Sequence, residues 1–327
     1  MRLLSSLKTF LLCLAVLGPA AIFSFPLKSQ EDPGLFSNEE VATRFQSYLK
    51  SGKACTSVTR GPRAIIAGFA QLRHLPFNYS GFVLANLASE KFWPADKAEP
   101  VVPTEADLPL GHLQKLEDVR FVNRSFRMPN GQDLSVCLIT TAVLWDYAAA
   151  VIANEMTRFQ PQAVILTGID DQAYLEAGAV RDSDSLPGYF SDGSVDPANR
   201  ELSPWVLPDP DLPEALPMTW DRRDLAQRVG PLFAKLKTSL DIPDGPRLHN
   251  NYICNEESYV ALAAALNKSL TLAGGEIVLH PRVETHPRIG FFHFPSLTLT
   301  DGATLASYAK IVMELVEGSL VVDQVKR

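Results

Sequence analysis

A chain of 327 residues with 46% hydrophobic and 20% charged side chains can bury one large core or two modest ones, which excludes a disordered or fibrous protein. Its net charge of -7 argues against nucleic acid as a partner and gives an anionic membrane surface no attraction for it.

In chain order, Arg2 and Lys8 precede the apolar run Thr9 to Leu17, and Gly18, Pro19, Ala20 and Ser24 follow. That pattern predicts a signal peptide over residues 1–25 and an exported protein, periplasmic or secreted, with no stable membrane association after cleavage. A retained anchor is the competing reading, but the run is short for a span and Gly18 and Pro19 break it. Residues 26–60 read as an N-terminal extension, helical from Ser37 to Leu49. Apolar runs at Ala64 to Phe69, Leu134 to Ile139 and Ala163 to Gly168 predict buried strands, and Ala142 to Phe159 and Leu225 to Leu240 predict helices. This alternation predicts an α/β fold with helices on both faces of a sheet. Between Pro187 and Pro217 lie seven of the 24 prolines, in an acidic stretch that predicts a long surface loop. Asn78, Asn123 and Asn267 each open a triplet of the glycosylation-acceptor type, and for Asn78 a turn near the site is the preferred reading.

Removal of residues 1–25 would leave Cys55, Cys137 and Cys254, an odd count for an oxidising compartment. Cys55 paired with Cys137 would leave Cys254 free; alternatively both are buried thiols, since Cys137 lies in an apolar segment.

Cys254 stands where a strand-like segment gives way to a helix. Asn255, Glu256 and Glu257 load the first turn with a capping side chain and two acids, and Tyr259 to Leu266 continue as strong helix formers. A thiol at the positive end of a helix is expected to ionise more readily, and the unpaired N–H groups there can receive charge developing on an attacked carbonyl oxygen. The bland reading is a small buried hydrophobe. Downstream, Ile289 to Pro295 reads as a short apolar strand delivering His293, the best candidate for a general base among six histidines. An imidazole with an ordinary pKa of about 6.5 can take the thiol proton and return one to a leaving amine. A carboxylate would then orient the ring, but spacing cannot select one among 37 acids.

The segment Tyr252-Ile253-Cys254-Asn255 with Tyr259, followed by His293-Phe294-Pro295, resembles the pyroglutamyl peptidase I family of cysteine peptidases. Gly68-Phe69 and, ten residues after the glycine, Asn78-Tyr79-Ser80 are similar to that family's amino-terminal signature. Leu175 to Val180 resembles the segment carrying its catalytic glutamate, which makes Glu176 the implied third member of a Cys254–His293–Glu176 triad. The resemblance covers roughly residues 63–296. It implies a single α/β/α domain over 61–327, built on a mostly parallel twisted sheet. It also implies removal of a pyroglutamyl or related small acyl group from peptides with blocked N-termini, no metal or organic cofactor, and self-association. Phe69, Leu72, Asn78, Tyr252 and Ile253 are the implied substrate-binding residues.

The chain departs from the family pattern in several places. Gly168 to Tyr174 lacks the glycine-rich turn ending in arginine, Leu72 replaces a pocket phenylalanine, and Tyr79 replaces a proline. Arg181 is the nearest candidate for an arginine that family members carry near the reacting carbonyl. Two classes of function therefore remain in view: an exported cysteine hydrolase, or a catalytically inactive descendant that binds a peptide or protein.

Overall fold

A computed structural model describes residues 37–70, 79–88, 119–181, 211–246, 253–295 and 302–325. Leu72, Asn78, Tyr252, residues 1–25 for which a signal peptide is expected, and most of the proline-rich stretch lie outside the described residues.

The chain opens with α1 (Asn38–Lys50). Its start is a reciprocal cap: the Glu40 N–H donates to Ser37 Oγ at 3.2 Å and the Ser37 N–H donates to Glu40 Oε2 at 2.7 Å. Val41, Ala42, Phe45 and Tyr48 recur at helical spacing and are the buried face. Next come β1 (Arg63–Phe69), α2 (Tyr79–Ala88), β2 (Arg120–Arg127), β3 (Asp133–Thr141), α3 (Tyr147–Phe159) and β4 (Ala163–Asp170). Three short strands follow, β5 (Ala173–Leu175), β6 (Gly178–Val180) and β7 (Ala215–Pro217), then α4 (Arg222–Leu236) and β8 (Leu240–Asp241). The remainder is α5 (Ile253–Ala265), β9 (Leu270–Leu272), β10 (Ile277–Leu279), β11 (Arg288–Pro295) and α6 (Gly302–Val325).

Among the described residues the main sheet has seven strands in the order β2-β3-β1-β4-β11-β5-β8. Strands β3, β1, β4 and β11 run parallel, while β2 and β5 are antiparallel to their neighbours β3 and β11. The parallel strands are almost continuously apolar and buried, as strands covered on both faces must be. One layer of helices is α1, α3 and α5; the other is α2, α4 and α6, and both layers pack on β4. The fold is α/β with a mostly parallel sheet.

Three of the expected elements are shifted at their ends. The helix expected from Ala142 begins at Tyr147, because Asp146 adopts a left-handed φ of 60° that a continuous helix cannot contain. The helix expected over Leu225 to Leu240 runs from Arg222 to Leu236. Asp221 accepts the Asp224 N–H at its start, and Lys237 at φ 55° stops it. The proline-rich stretch is regular at its end, where β7 pairs antiparallel with β6.

Cys55 and Cys137 form a disulfide with a Cα–Cα distance of 5.4 Å, and Cys254 is a free, buried thiol. The bridge ties the segment after α1 to β3. Beside it the Tyr48 hydroxyl donates to the buried Glu155 carboxylate, which also accepts the Cys55 N–H at 2.8 Å. No described helix is long and apolar enough to cross a membrane.

Candidate active site

Parallel strands in an open sheet expose binding loops at their carboxyl ends. Gly168 and Asp170 near the end of β4, and His293 near the end of β11, occupy that edge. The second residue of α5 is Cys254, 6% exposed. A Cβ built on Gly168 would lie 2.8 Å from Cys254 Sγ and 2.9 Å from Phe291 Cζ. Glycine is therefore what allows the sulfur to approach β4. Gly168 is the register partner of His293 across the parallel β4–β11 pair, so both residues face the same side of the sheet. The thiol and the imidazole thus share one face, on neighbouring strand columns.

His293 is held from several directions. Its Nε2 lies 3.2 Å from Glu176 Oε1, within ion-pair reach but without the alignment of a hydrogen bond. On the β4 side, Nδ1 lies 3.4 Å from the Ile169 carbonyl oxygen and 3.9 Å from Asp170 Oδ2. The Tyr174 ring stacks on the imidazole at 4.2 Å and 14°, and the Tyr174 hydroxyl donates to Asp170 Oδ2 at 2.5 Å. The Phe291 ring, two residues back on β11, closes another side at 4.6 Å. Asp170 and Tyr174 were not singled out by the sequence, where both look like ordinary loop residues. Only the antiparallel pairing of His293 with Tyr174 reveals their place.

Glu176 follows β5 and is buried. Its N–H donates to the Phe291 carbonyl at 3.0 Å, and its own carbonyl accepts from Trp220 Nε1 at 3.2 Å. The Trp220 indole can reach that carbonyl because Gly290 has no side chain; a Cβ there would sit 1.9 Å from two indole carbons.

Asn255 departs from the capping role expected of it. Its Nδ2 donates to the Val180 carbonyl at 2.9 Å and its Oδ1 accepts the Val180 N–H at 2.8 Å. The side chain beside the thiol therefore clamps β6, and with it the Glu176 segment, to α5. Glu256 Oε1 accepts the Asp146 N–H at 2.7 Å, and Glu257 is wholly buried. Tyr259 donates through its hydroxyl to the Pro213 carbonyl. The residues expected to cap and acidify the first turn are all buried, and Asn255, Glu256 and Tyr259 fasten α5 to its surroundings.

This interior setting reverses the expected ionisation of Cys254. Burial pushes the thiol well above the ordinary cysteine range, and the carboxylates of Glu257, Glu176 and Asp170 push it further. The helix terminus does not offset them, because desolvation disfavours the thiolate wherever water is excluded.

Phe69 ends β1 in the core, its N–H donating to Ser80 Oγ at 2.9 Å, and Ile253 is buried at the start of α5. Arg181, the nearest candidate for a carbonyl-binding arginine, directs Nη1 to the Leu212 carbonyl at 3.2 Å and its N–H to the Glu214 carbonyl at 2.7 Å. Among the described residues no group of three or more His, Cys, Asp or Glu side chains could hold a metal ion.

No protein-family model matches this chain, and neither does any curated protein. Solved structures do resemble it. Pyroglutamyl peptidase I from Bacillus amyloliquefaciens aligns with a TM-score of 0.46 and 15% identity, covering 79% of this chain and 96% of that one. Pyrrolidone carboxyl peptidase from Thermus thermophilus aligns at 0.43 and 18% identity, covering 78% and 99%. A mutant of the same enzyme from Pyrococcus furiosus aligns at 0.45 and 13% identity, covering 79% and 98%. Likeness at these values says nothing about activity.

Proposed function

We propose that this protein is a cysteine hydrolase that cleaves a pyroglutamyl or related small acyl group from the N-terminus of peptides through Cys254, His293 and Glu176. The observation that carries this reading is the approach of the Cys254 sulfur to Gly168, the register partner of His293, with Glu176 beside the imidazole Nε2. The sequence resemblance carried by Cys254-Asn255, Tyr259 and His293-Phe294-Pro295 supports the same assignment.

The chemistry follows from which nitrogen is available. In this reading the resting proton is on Nε2, towards the Glu176 carboxylate, and Nδ1, on the β4 side with the Ile169 carbonyl at 3.4 Å, is the nitrogen that takes up the thiol proton and then donates to that carbonyl. Because burial keeps the Cys254 thiol protonated at rest, its proton passes to Nδ1 as sulfur attacks the acyl carbonyl. The imidazolium so formed has the Ile169 carbonyl and Asp170 beside Nδ1 and Glu176 beside Nε2. Backbone N–H groups at the start of α5 take the charge on the tetrahedral oxygen. Collapse breaks the C–N bond, the Nδ1 proton goes to the departing amine, and water then hydrolyses the thioester with the same base.

In this reading Glu176 holds the ring and Phe69 and Ile253 belong to an apolar acyl pocket together with Leu72, Asn78 and Tyr252. The mature protein is exported; the Cys55–Cys137 bridge supports that, since such bonds persist in oxidising compartments. Self-association is part of the same proposal.

The test is release of amine from pyroglutamyl, prolyl and alanyl amides by the full chain with its disulfide intact. Cys254→Ala should abolish turnover, His293→Ala should cost about 1000-fold or more, and Glu176→Gln about 100-fold, with KM little changed. The preference among the three amides identifies the acyl group. A second reading, a catalytically silent binding module, is favoured by the raised thiol and by Arg181 being turned to Leu212. Absence of turnover on every amide, with Cys254 inert to iodoacetamide in the folded protein, would select it.

A further inference from the structure

Cys254 and Glu257 lie three residues apart on α5, a spacing that puts their Cβ atoms about 5–6 Å apart on adjacent turns of one helix face. Glu257 is 0% exposed, and neither of its carboxylate oxygens has a hydrogen-bond partner among the described residues. A buried carboxyl without a partner costs stability, so its presence one turn behind a free thiol calls for a reason. Its neighbours on the same turn do have partners: Asn255 holds Val180, and Glu256 holds Asp146. Glu257 stands apart from both.

We propose that Glu257 is a positioning residue for the Cys254 nucleophile: its carboxyl, neutral or ionised, sets the charge that the thiol meets and so governs when sulfur can react. Among the charges that oppose ionisation of Cys254, Glu257 ranks before Glu176 and Asp170. Burial alone pushes the Glu257 carboxyl up to about 8. The titratable groups on elements packed against α5 are Tyr147, Glu155 and Arg158 on α3, Asp170 on β4, and Arg288 and His293 on β11. Asp146 precedes α3, Glu176 precedes β6, Glu256 and Tyr259 share the helix with Glu257, and β6, β7 and β9 bring no ionisable side chain. None of these groups offsets the burial of Glu257.

The sign follows. Below about pH 8 the carboxyl is protonated and neutral, and ionisation of Cys254 is opposed by burial together with Glu176 and Asp170. Above it the carboxylate forms and ionisation of the thiol becomes harder, so the rise of thiol reactivity with pH is delayed and flattened. The inference rests on Cys254 as the reactive group, but it needs no substrate. Its failure and that of the hydrolase assignment are therefore separable.

The experiment is the pH dependence of iodoacetamide alkylation at Cys254 in the non-reduced full chain, with the label located by mass spectrometry. Glu257→Gln keeps the shape and removes the charge. Between about pH 8 and the midpoint, where wild type carries the carboxylate, it should raise the rate about threefold and so move the profile at least half a unit to lower pH, while below about pH 8 the two rates should agree. A purely structural role would change amplitude or stability without moving the midpoint. Should the variant fail to fold, the carboxyl of Glu257 is followed in carbon-13-glutamate-labelled wild type, assigned through the backbone. A carboxyl that stays protonated at pH 7 supports the proposal. Superimposable alkylation profiles, or a Glu257 that titrates in the ordinary carboxylate range, would overturn it.

Discussion

At the scale of single residues, the site depends on atoms that are absent as much as on those present. Gly168 has no Cβ, and the sulfur of Cys254 comes to within 2.8 Å of where one would be. Gly168→Ala should therefore push either the sulfur or the Phe291 ring away, at a cost of about 1–3 kcal/mol in stability. Because small displacements of a nucleophile are expensive, turnover or alkylation of Cys254 should fall about tenfold or more. Denaturant melts beside alkylation rates check this, and an alanine variant with wild-type reactivity would place the thiol elsewhere. The thiol itself carries the main correction at this scale. A cysteine at a helix start reads as electropositive, but the sequence does not show that the first turn is sealed from water or that Glu257, Glu176 and Asp170 lie around it.

At the scale of elements, α5 is the keystone of the site because its first turn is fastened to two separate neighbours. Asn255 exchanges two hydrogen bonds with Val180 of β6, and Glu256 accepts from Asp146 ahead of α3. Asn255→Ala would leave the buried Val180 N–H and carbonyl without those partners, a loss of about 1–3 kcal/mol for each group left unsatisfied. The Val180 amide should then exchange with solvent much faster than in wild type, while amides of β1 and β3 keep their protection. Uniform exchange across the sheet would contradict a local clamp. Much of this architecture is legible in sequence: β1, β3, β4 and β11 are nearly unbroken apolar runs, and the capping box at Ser37 and Glu40 announces α1. The edge strand β2 is not legible, since Arg120-Phe121-Val122-Asn123-Arg124 alternates weakly and is formed by pairing with β3. Trp220 is equally silent in sequence, and acquires its place under Glu176 only because Gly290 leaves room for the indole.

For the molecule as a whole, α1 and Cys55 are bound into the same core as the strands. Phe45 and Tyr48 of α1 join that core, Tyr48 meets Glu155 of α3, and Cys55 is bridged to Cys137 across a sequence separation of 82. Closing a loop of that length removes conformational freedom from the unfolded chain, worth about 4.5 kcal/mol in the chain-entropy description. Reduction, or Cys55→Ser with Cys137→Ala, should lower the unfolding free energy by a comparable amount in equilibrium denaturation. A midpoint that does not move would mean that packing of α1 alone holds the segment. The bridge also leaves Cys254 as the free thiol among the described cysteines, so any alkylation of these three in the non-reduced chain should be at Cys254.

By itself the sequence determined the alternation of strands and helices and the buried character of the parallel strands, and it singled out Cys254 and His293 as the candidate nucleophile and base. These are local properties, because hydrophobic period, capping and side-chain type are written within a few consecutive residues. Only the tertiary structure decided that Cys254 and His293 share a face, that Glu176 and Asp170 flank the ring, and that Cys55 joins Cys137. It also decided that the first turn of α5 is interior, which sets the charge state of the thiol. Such relations join residues tens of positions or more apart in the chain, and the energies that govern them, desolvation and the field of nearby charges, exist only once water has been excluded.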